Sequence, residues 1–171
     1  KGKTIFVADT SVHEYPTSEE MSEIAISAAR VVRLFGFDPK VAFVSHSTFG
    51  QPVTSRTKHI RKAVDILKEK NVDFEFDGDM QPDVALNNEY KNLYPFSKIV
   101  GNANILIMPG QHSAAISYKM MKTLGDTKVI GPLLVGLGLP IEIAPLRTST
   151  SELINLASIA AYSADKIDYS K

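Results

Sequence analysis

The spacing of apolar residues predicts strands that alternate with helices along the chain. Short apolar runs, which are typical of buried strands, lie at residues 4–8, 41–44, 72–76, 105–108 and 141–144. Between these runs, apolar residues recur every three or four positions, which predicts helices over about 17–36, 56–70, 113–124 and 153–164. A short helix is predicted through Ala85 and Leu86. Ile116, Met120 and Met121 are expected to face inward.

The order of these elements predicts the fold class. Repeated strand, helix, strand units imply a mostly parallel sheet covered by helices on both faces. About five strands are too few to close a barrel, so we predict an α/β fold, a three-layer α/β/α sandwich. The sequence shows no internal repeat, linker or low-complexity tract. We therefore expect residues 1–171 to form a single domain, as a fragment of a longer chain.

Composition narrows the class of partner and the compartment. The chain has 44% hydrophobic residues, enough for a substantial core, and 19 basic residues balance 19 acidic ones. With no basic excess, neither a nucleic acid nor a membrane surface is expected as a partner. Cysteine is absent, which excludes disulfides and a cysteine nucleophile, and no apolar run reaches the ~18 residues of a membrane span. A cytoplasmic location is expected.

Polar loops follow the predicted strands and mark the candidate site. In open α/β sheets, ligands bind outside the carboxyl ends of the strands. The four loops that follow strands here read SHSTFG, DGDMQPD, MPGQHSA and APLRTSTSE. We expect a ligand site where these four loops meet.

Two of the loops carry groups suited to an anion. Ser45, Ser47 and Thr48 offer hydroxyls for a phosphate or an amide, although an ordinary polar loop is the alternative. Ser149 and the residues after it, with Glu152 in the first turn, predict a capped helix whose apolar face holds Leu153, Leu156, Ala157, Ala160 and Ala161. The backbone N–H groups at such a helix start attract negative charge.

Other site chemistry has little support in the sequence. Asp77, Asp79 and Asp83 are close enough to hold a hard cation or orient a base, but the calcium-loop pattern is absent and exposed turn acids are the alternative. The four histidines are scattered, so no metal site is predicted. Dinucleotide, P-loop and serine-hydrolase motifs are also missing.

Five runs, in the same order, resemble the C-terminal half of the phosphate acetyltransferase (phosphotransacetylase) family. They read VAFVSHSTFG, FDGDMQPDVAL, NILIMPGQHSAAISYK, IGPLLVGLGLPIEI and SELINLASIAA. The opening run, IFVADTSVHEYPTSEEMSEIA, is similar to the phosphotransacetylase-like region at the C-terminus of bacterial multimodular NADP-dependent malic enzymes. The resemblance implies a phosphotransacetylase or isocitrate-dehydrogenase-like subdomain. It also implies acetyl-CoA or phosphate contacts from Ser45, Ser47, Thr48, Gly131, Pro132, Arg147 and Ser149.

The chain departs from the family where catalysis takes place. Active members carry Asp-Leu-Ser-Arg-Gly after the last strand, with a following aspartate. Here Pro145 replaces the serine, Leu146 replaces the arginine, and Glu152 stands at the aspartate position. Ala115 occupies a position where the family usually has asparagine. The resemblance therefore implies that catalysis is lost, and no catalytic residue is expected.

These departures give one main functional prediction and two alternatives. The main prediction is a regulatory and oligomerising domain of an NADP-dependent malic enzyme that senses acetyl-CoA and holds no cofactor itself. NADP and a divalent metal would bind in N-terminal malic enzyme domains of the same chain, and the assembly would be a homodimer or larger. The alternatives are an active phosphate acetyltransferase that uses Ser47, Arg147 and Glu152, and a purely structural dimerisation module.

Overall fold

A computed structural model of the chain describes residues 2–137 and 139–166. Its elements are β1 (Phe6–Ala8), α1 (Ser18–Leu34), β2 (Lys40–Val44), α2 (Ser55–Glu69), β3 (Glu75–Met80), α3 (Pro82–Leu86), α4 (Asn88–Lys91), β4 (Ile105–Ile107), α5 (Gln111–Leu124) and α6 (Thr150–Lys166). The chain divides into two compact units, with the division between residues 117 and 118. The single domain over 1–171 stays a prediction, and each unit is described by itself.

The first unit is built on a parallel sheet. Its four described strands lie in the order β1-β4-β2-β3, and every neighbouring pair is parallel. Strand β4 sits between β1 and β2, so Ile105 lies opposite both Phe6 and Val41. All four strands therefore send their carboxyl ends to one edge, where the loops that follow them can cooperate.

Both faces of the sheet are buried, as the predicted sandwich requires. Helices α1 and α2 cover one face, where Phe43 and Ile107 pack with Met21 and Leu67. The other face buries Ala42, Val44 and Leu106 with Ala85 of α3 and Ala114 of α5. Because side chains alternate along a strand, burial on both sides explains the continuous apolar runs of β2 and β4. The predicted α/β/α fold is confirmed.

Capping chemistry sets the starts of the two long helices in this unit. Thr17 Oγ1 accepts a hydrogen bond from the backbone N–H of Glu20 (3.1 Å), and the Glu20 carboxylate accepts one from the N–H of Thr17 (2.7 Å). Thr54 and Thr57 make the equivalent pair before α2. Each pair satisfies backbone donors that lack a partner inside the helix.

The predicted acidic loop at 77–83 is wrong in its first half. Strand β3 continues to Met80, and Asp77 and Asp79 within it are 8% and 0% exposed. Three acidic or glycine residues in a row predict a turn, because exposed carboxylates prefer water. Hydrogen-bond donors for both carboxylates override that preference here and let the strand continue.

The predicted strand at 141–144, in the second unit, is also wrong. No regular structure covers these residues, and Ile141 and Ile143 are 48% and 55% exposed. A strand forms when a neighbouring strand takes up its backbone hydrogen bonds. Among the described residues, no strand pairs with this segment.

Helices α5 and α6 lie close to their predicted bounds, but their predicted apolar faces are wrong in part. Ile116, Met120 and Met121 of α5 are all exposed, whereas Ala114 is buried. On α6, Leu156 is buried and Leu153 is exposed. Helical periodicity identifies an apolar face without showing what covers it. None of the described helices is both long and apolar enough to cross a bilayer.

A glycine in β3 gives the first testable prediction. A Cβ atom at Gly78 would lie 2.7 Å from Phe43 Cβ and 2.8 Å from the Phe43 carbonyl oxygen. Gly78→Ala is therefore expected to lower the free energy of unfolding by ~1–3 kcal/mol, since an added methyl forces the sheet to shift. Urea denaturation measures the loss, and Gly2→Ala, which meets no atom within 4 Å, is the control. Equal stability of the two variants would contradict the close packing of β2 on β3.

Candidate functional site

Residues 45–51, which we call the hydroxyl loop, leave the carboxyl end of β2 and are fastened to the end of β3. The N–H groups of Ser45 and Phe49 donate to the carbonyl oxygens of Met80 (2.9 Å) and Asp79 (2.6 Å). The N–H of Gln81 donates back to Thr48 Oγ1 (3.2 Å). The first two predicted site loops therefore do meet.

The buried carboxylate of Asp79 fixes the hydroxyl loop by accepting hydrogen bonds from it. Asp79 is fully buried, and it accepts hydrogen bonds from the Ser47 hydroxyl, from the N–H of Gly50 (3.3 Å) and from Nε of Arg61 (2.9 Å). The Ser47 hydroxyl also lies 3.2 Å from Ser45 Oγ. We call Ser47, Gly50, Arg61 and Asp79 the Asp79 cluster. A buried charge needs such partners, because burial without them is very unfavourable.

Gly50 makes room for the arginine of this cluster. Its φ is +81°, and a Cβ atom there would overlap the Arg61 guanidinium. The sequence interpretation missed Arg61, which it placed only on the basic side of a helix. The available signal was weak: Arg61 directly follows the buried Ile60, at the border of the apolar face of α2.

The three acids that were considered as a possible cation site have separate partners. Asp77 accepts bonds from the N–H groups of Gly78 (2.9 Å) and Lys98 (2.7 Å). Asp83 accepts one from the N–H of Val84 (3.0 Å), in the first turn of α3. Within the described ranges, no group of three acidic or histidine side chains is placed to hold a metal ion.

The loops after β1 and β4 also meet. The N–H of Gln111 donates to the carbonyl oxygen of Glu14 (3.1 Å), and the ring of His112 stacks on that of Tyr15, with centroids 6.2 Å apart. Asp9 orders the β1 loop by accepting bonds from three consecutive N–H groups, at residues 11–13. Burial alone would raise the pKa of Asp9, but these N–H donors and the His13 ring outweigh it, so the pKa is lowered.

Two cavities open beside these loops, and their lining residues differ in charge. The α3 cavity, about 260 Å³, is lined by Thr48, Gln51, Gln81, Asp83, Val84, Tyr90, Leu93 and Tyr94. The β1 cavity, about 400 Å³, is lined by Tyr15, Pro16, Thr17, Ser55, Arg56, His59, Ile60 and Pro109. The β1 lining includes a cation and no carboxylate, whereas the α3 lining includes a carboxylate and no cation.

The β1 cavity carries its charge on Arg56. The Arg56 guanidinium lies 5.9 Å from the centroid of the Tyr15 ring, within the range of a cation–π contact. His59 is held by a bond from Nε2 to the Pro16 carbonyl oxygen (2.8 Å) and by a bond between Nδ1 and the Ser18 hydroxyl (3.1 Å). An anionic group that enters this cavity would meet a positive charge and hydroxyls.

In the second unit, the turn at 145–149 leads into α6 as predicted. Ser149 and Glu152 form a reciprocal cap: both the N–H and the hydroxyl of Ser149 donate to the Glu152 carboxylate, at 2.8 Å each. Lys122 donates to the other carboxylate oxygen (2.9 Å). The Lys122 ammonium and the Ser149 donors lower the pKa of Glu152 to about 2. Leu146 and Arg147 project into solvent on this turn.

The predicted ligand residues divide between the two units. Ser45, Ser47 and Thr48 lie in the first, and Ser47 is fully buried against Asp79. Gly131, Pro132, Arg147 and Ser149 lie in the second, where Gly131 has a φ of +127° at the start of an irregular segment. In that segment, Glu142 accepts a bond from the N–H of Leu134 (3.2 Å), although burial raises the pKa of its carboxyl. That the third and fourth predicted loops meet the first two stays a prediction.

Comparison with known proteins gives consistent matches over nearly the whole chain. The phosphate acetyl/butaryl transferase family matches residues 1–161. An NADP-dependent malic enzyme of Rhizobium meliloti is 51% identical over 96% of this chain and 22% of its own length. A phosphate acetyltransferase of Clostridium acetobutylicum is 34% identical over 95% of this chain and 49% of its own. A crystal structure of a Streptococcus pyogenes phosphotransacetylase is 33% identical, with a TM-score of 0.89, over 94% of this chain and 49% of that one.

The Asp79 cluster predicts that substitutions of two arginines will differ in their effect on stability. Arg61 and Arg33 are equally exposed at 41%, but their partners Asp79 and Asp73 are 0% and 79% exposed. Arg61→Met should lower the free energy of unfolding by about 2 kcal/mol, between the values typical of surface and buried pairs. Arg33→Met, the matched control, should cost below ~1 kcal/mol. The pairing would be contradicted if both substitutions lowered the free energy of unfolding equally. It would also be contradicted if Arg61→Met lowered it by the same amount in a chain that already carries Asp79→Asn.

The cap of α6 predicts the titration of one carboxyl group. Because the pKa of Glu152 in the folded protein is about 2, below its ordinary 4.5, ionised Glu152 stabilises the helix start above pH ~4.5, and this contribution is lost as the pH falls toward 2. Carboxyl ¹³C NMR should show a midpoint near 2 that rises in Lys122→Met. Lys128→Met, which removes another exposed lysine of this unit, should leave it unchanged. An ordinary midpoint in the unaltered protein would exclude the cap as described.

Proposed function

This chain belongs to the phosphate acetyl/butaryl transferase family, and from that premise we propose that it has lost acyl transfer and binds acetyl-CoA as a regulatory signal. The predicted resemblance to that family is confirmed. The chain is a phosphotransacetylase-like domain homologous to the C-terminal part of malic enzymes. It spans about a fifth of the length of these relatives and about half that of the phosphate acetyltransferases.

The proposed setting is a larger NADP-dependent malic enzyme. Malate would be oxidised and decarboxylated to pyruvate in N-terminal domains of the same polypeptide, which would hold NADP and a divalent metal. The present domain would contribute assembly into a homodimer or larger oligomer. Regulation would require acetyl-CoA to bind one state of that assembly more tightly than another.

The presence of Pro145 and Leu146, where active members are expected to carry a serine and an arginine, is the observation that carries the loss of catalysis, and the hydrogen bonds of Glu152 add to it. Acyl transfer from phosphate to CoA needs a base that removes the proton of a thiol, whose ordinary pKa is about 8.5. A carboxylate whose pKa is about 2, bonded to Lys122 and to the cap of α6, is a very weak base. Pro145 and Leu146 cannot replace it, because neither side chain accepts a proton or binds an anion.

The other candidate for a catalytic group is also engaged. The Ser47 hydroxyl donates to the buried Asp79, whose carboxylate is itself paired with Arg61. Moving this hydroxyl toward a substrate would leave a buried acceptor with one donor fewer. We therefore assign Ser47 a structural part in holding the hydroxyl loop.

Ligand binding does not depend on the missing catalytic groups. In the first unit, Ser45, Thr48 and the cationic β1 cavity can supply contacts to a CoA thioester. In the second unit, Arg147, Gly131 and Pro132 are proposed ligand residues, whereas Ser149 already donates its N–H and its hydroxyl to Glu152. A guanidinium is suited to the phosphates of CoA.

The exposed apolar residues of α6 favour a second candidate, a purely structural dimerisation module. Leu153 and Ile154 are 47% and 61% exposed, and exposed apolar groups of this kind are common at subunit contacts. This candidate needs no ligand, so binding experiments separate it from the regulatory domain.

Calorimetry of the intact polypeptide that carries this chain tests the proposal. Acetyl-CoA should bind, and Arg147→Met should weaken the binding about tenfold, as expected when a charged contact is lost. Arg30→Met, which removes an exposed arginine of α1, is the control. The same polypeptide should form no acetyl phosphate from acetyl-CoA and phosphate.

Two results would overturn this proposal. Absence of acetyl-CoA binding up to millimolar concentrations would remove the regulatory role and favour the structural module. Robust synthesis of acetyl phosphate, abolished by changes at residues 145–147, would show instead an active acetyltransferase that uses Ser47, Arg147 and Glu152.

A further inference from the structure

Five side chains of the first unit form an apolar surface that the regulatory function does not yet use. They are Phe49, Tyr90, Leu93, Tyr94 and Phe96, and we call them the aromatic surface. We propose that this surface docks the malic enzyme domains of the same polypeptide. The assignment rests on the proposed function, because that function places malic enzyme domains in the same chain. It adds where those domains contact this one.

The aromatic surface is continuous and largely open to solvent. The Phe96 ring centroid lies 4.8 Å from that of Phe49 and 6.2 Å from that of Tyr94. Tyr94 also lines the α3 cavity together with Tyr90 and Leu93, which connects all five residues. Leu93 and Phe96 are 72% and 64% exposed. Contiguous exposed apolar groups of this kind mark interaction sites.

The backbone beneath part of this surface is fixed to the sheet. The Asp77 carboxylate accepts a hydrogen bond from the N–H of Lys98 (2.7 Å), and the Glu75 carboxylate accepts one from the N–H of Val100 (2.7 Å). Both acids belong to β3. Phe96 therefore stands next to a segment that is already ordered, so that less conformational entropy is lost when a partner covers it.

Phe49 joins the aromatic surface to the hydroxyl loop. Its φ is +49°, a conformation that bulky residues rarely adopt and that is concentrated at functional sites. The N–H of Phe49 donates to the Asp79 carbonyl oxygen (2.6 Å), which fixes its backbone to β3. The same loop holds Ser45 and Thr48, two of the proposed ligand residues. A partner docked on Phe49 would contact that loop directly, and regulation requires such a physical connection between sites.

The chemistry of the aromatic surface suits a protein partner. Tyrosine and phenylalanine are enriched at the centres of protein interfaces, where a few large side chains supply most of the binding energy. Nucleic acids and anionic membranes are bound mainly through basic groups, and none of these five residues is basic.

The position of the surface in the sequence favours a partner that phosphate acetyltransferases lack. Four of its five residues lie between two runs that resemble that family, since FDGDMQPDVAL ends at Leu86 and NILIMPGQHSAAISYK begins at Asn104. The chain covers 22% of the Rhizobium meliloti malic enzyme and 49% of the Clostridium acetobutylicum acetyltransferase, so the malic enzyme is more than twice as long. The additional length supplies the proposed occupant.

A second copy of the chain is the main competing occupant. Contacts between copies already have a candidate surface in the second unit, where Leu153 and Ile154 of α6 are exposed. The aromatic surface of the first unit is therefore assigned to a different partner.

Hydroxyl-radical footprinting of the intact polypeptide tests whether the surface is covered. Leu93→Asp should increase the oxidation rate of Phe96 severalfold, because a charge placed in an apolar contact opens it to solvent. Val12→Asp, which changes another exposed apolar residue of the first unit, is the matched control and should leave Phe96 unchanged. Both replaced side chains are exposed, so circular dichroism should show no loss of structure. An unchanged oxidation rate in Leu93→Asp would overturn the proposal.

Photo-crosslinking identifies the occupant. Tyr90→p-benzoylphenylalanine places a photoreactive ring at the aromatic surface of the intact polypeptide, and mass spectrometry identifies the peptides it captures. They should come from the malic enzyme domains. Cross-links to another copy of this chain or to the rest of the phosphotransacetylase-like region, or no cross-link at all, would overturn the proposal.

The outcomes separate this assignment from the proposed function. If acetyl-CoA binds but Leu93→Asp leaves Phe96 oxidation unchanged, the docking assignment fails and the regulatory role stands. If the cross-links reach the malic enzyme domains and acetyl-CoA does not bind, the docking assignment stands and the regulatory proposal fails.

Discussion

The buried carboxylate of Asp79 is the constraint on which the carboxyl edge of the sheet depends. An unpaired charge at this depth would cost several kcal/mol, and it is satisfied by a hydroxyl and a backbone N–H of the hydroxyl loop and by a guanidinium of α2. These three donors tie β3, the hydroxyl loop and α2 together. Because the same loop borders the α3 cavity through Thr48, the shape of a candidate ligand site depends on one ion pair that lies outside it.

The two proposed properties of this domain, lost catalysis and retained binding, are compatible because they depend on different atoms. Acyl transfer requires a proton acceptor and a group that stabilises developing negative charge. At the relevant turn, Pro145 and Leu146 supply neither, and Glu152 is occupied by Lys122 and the cap of α6. Binding requires cavities with suitable walls, and both described cavities lie at the carboxyl edge of the first unit. A domain of this kind can keep its ligand after it loses its chemistry.

Much of the fold could be predicted because it depends on local patterns. The runs VAFV and ILI indicate strands buried on both faces, the Thr17 and Ser149 segments indicate helix starts, and the alternation of the two implies a parallel sheet. The predicted elements were wrong where the conformation depends on burial or on a hydrogen-bonded neighbour far away in the sequence. Asp77 and Asp79 have the composition of a turn but lie in a strand, while residues 141–144 have the composition of a strand but lack one to pair with.

The sequence by itself determined the order of the elements, the helix caps and the family, since each can be read from residues close together in the chain. Only the tertiary structure decided that Arg61 reaches Asp79, that the Ser47 hydroxyl is already engaged, and that Thr48, Gln81 and Asp83 share a cavity with two tyrosines. The physical reason is that periodicity and capping are short-range properties. Which buried charge meets which donor depends on how strands and helices far apart in the sequence pack together.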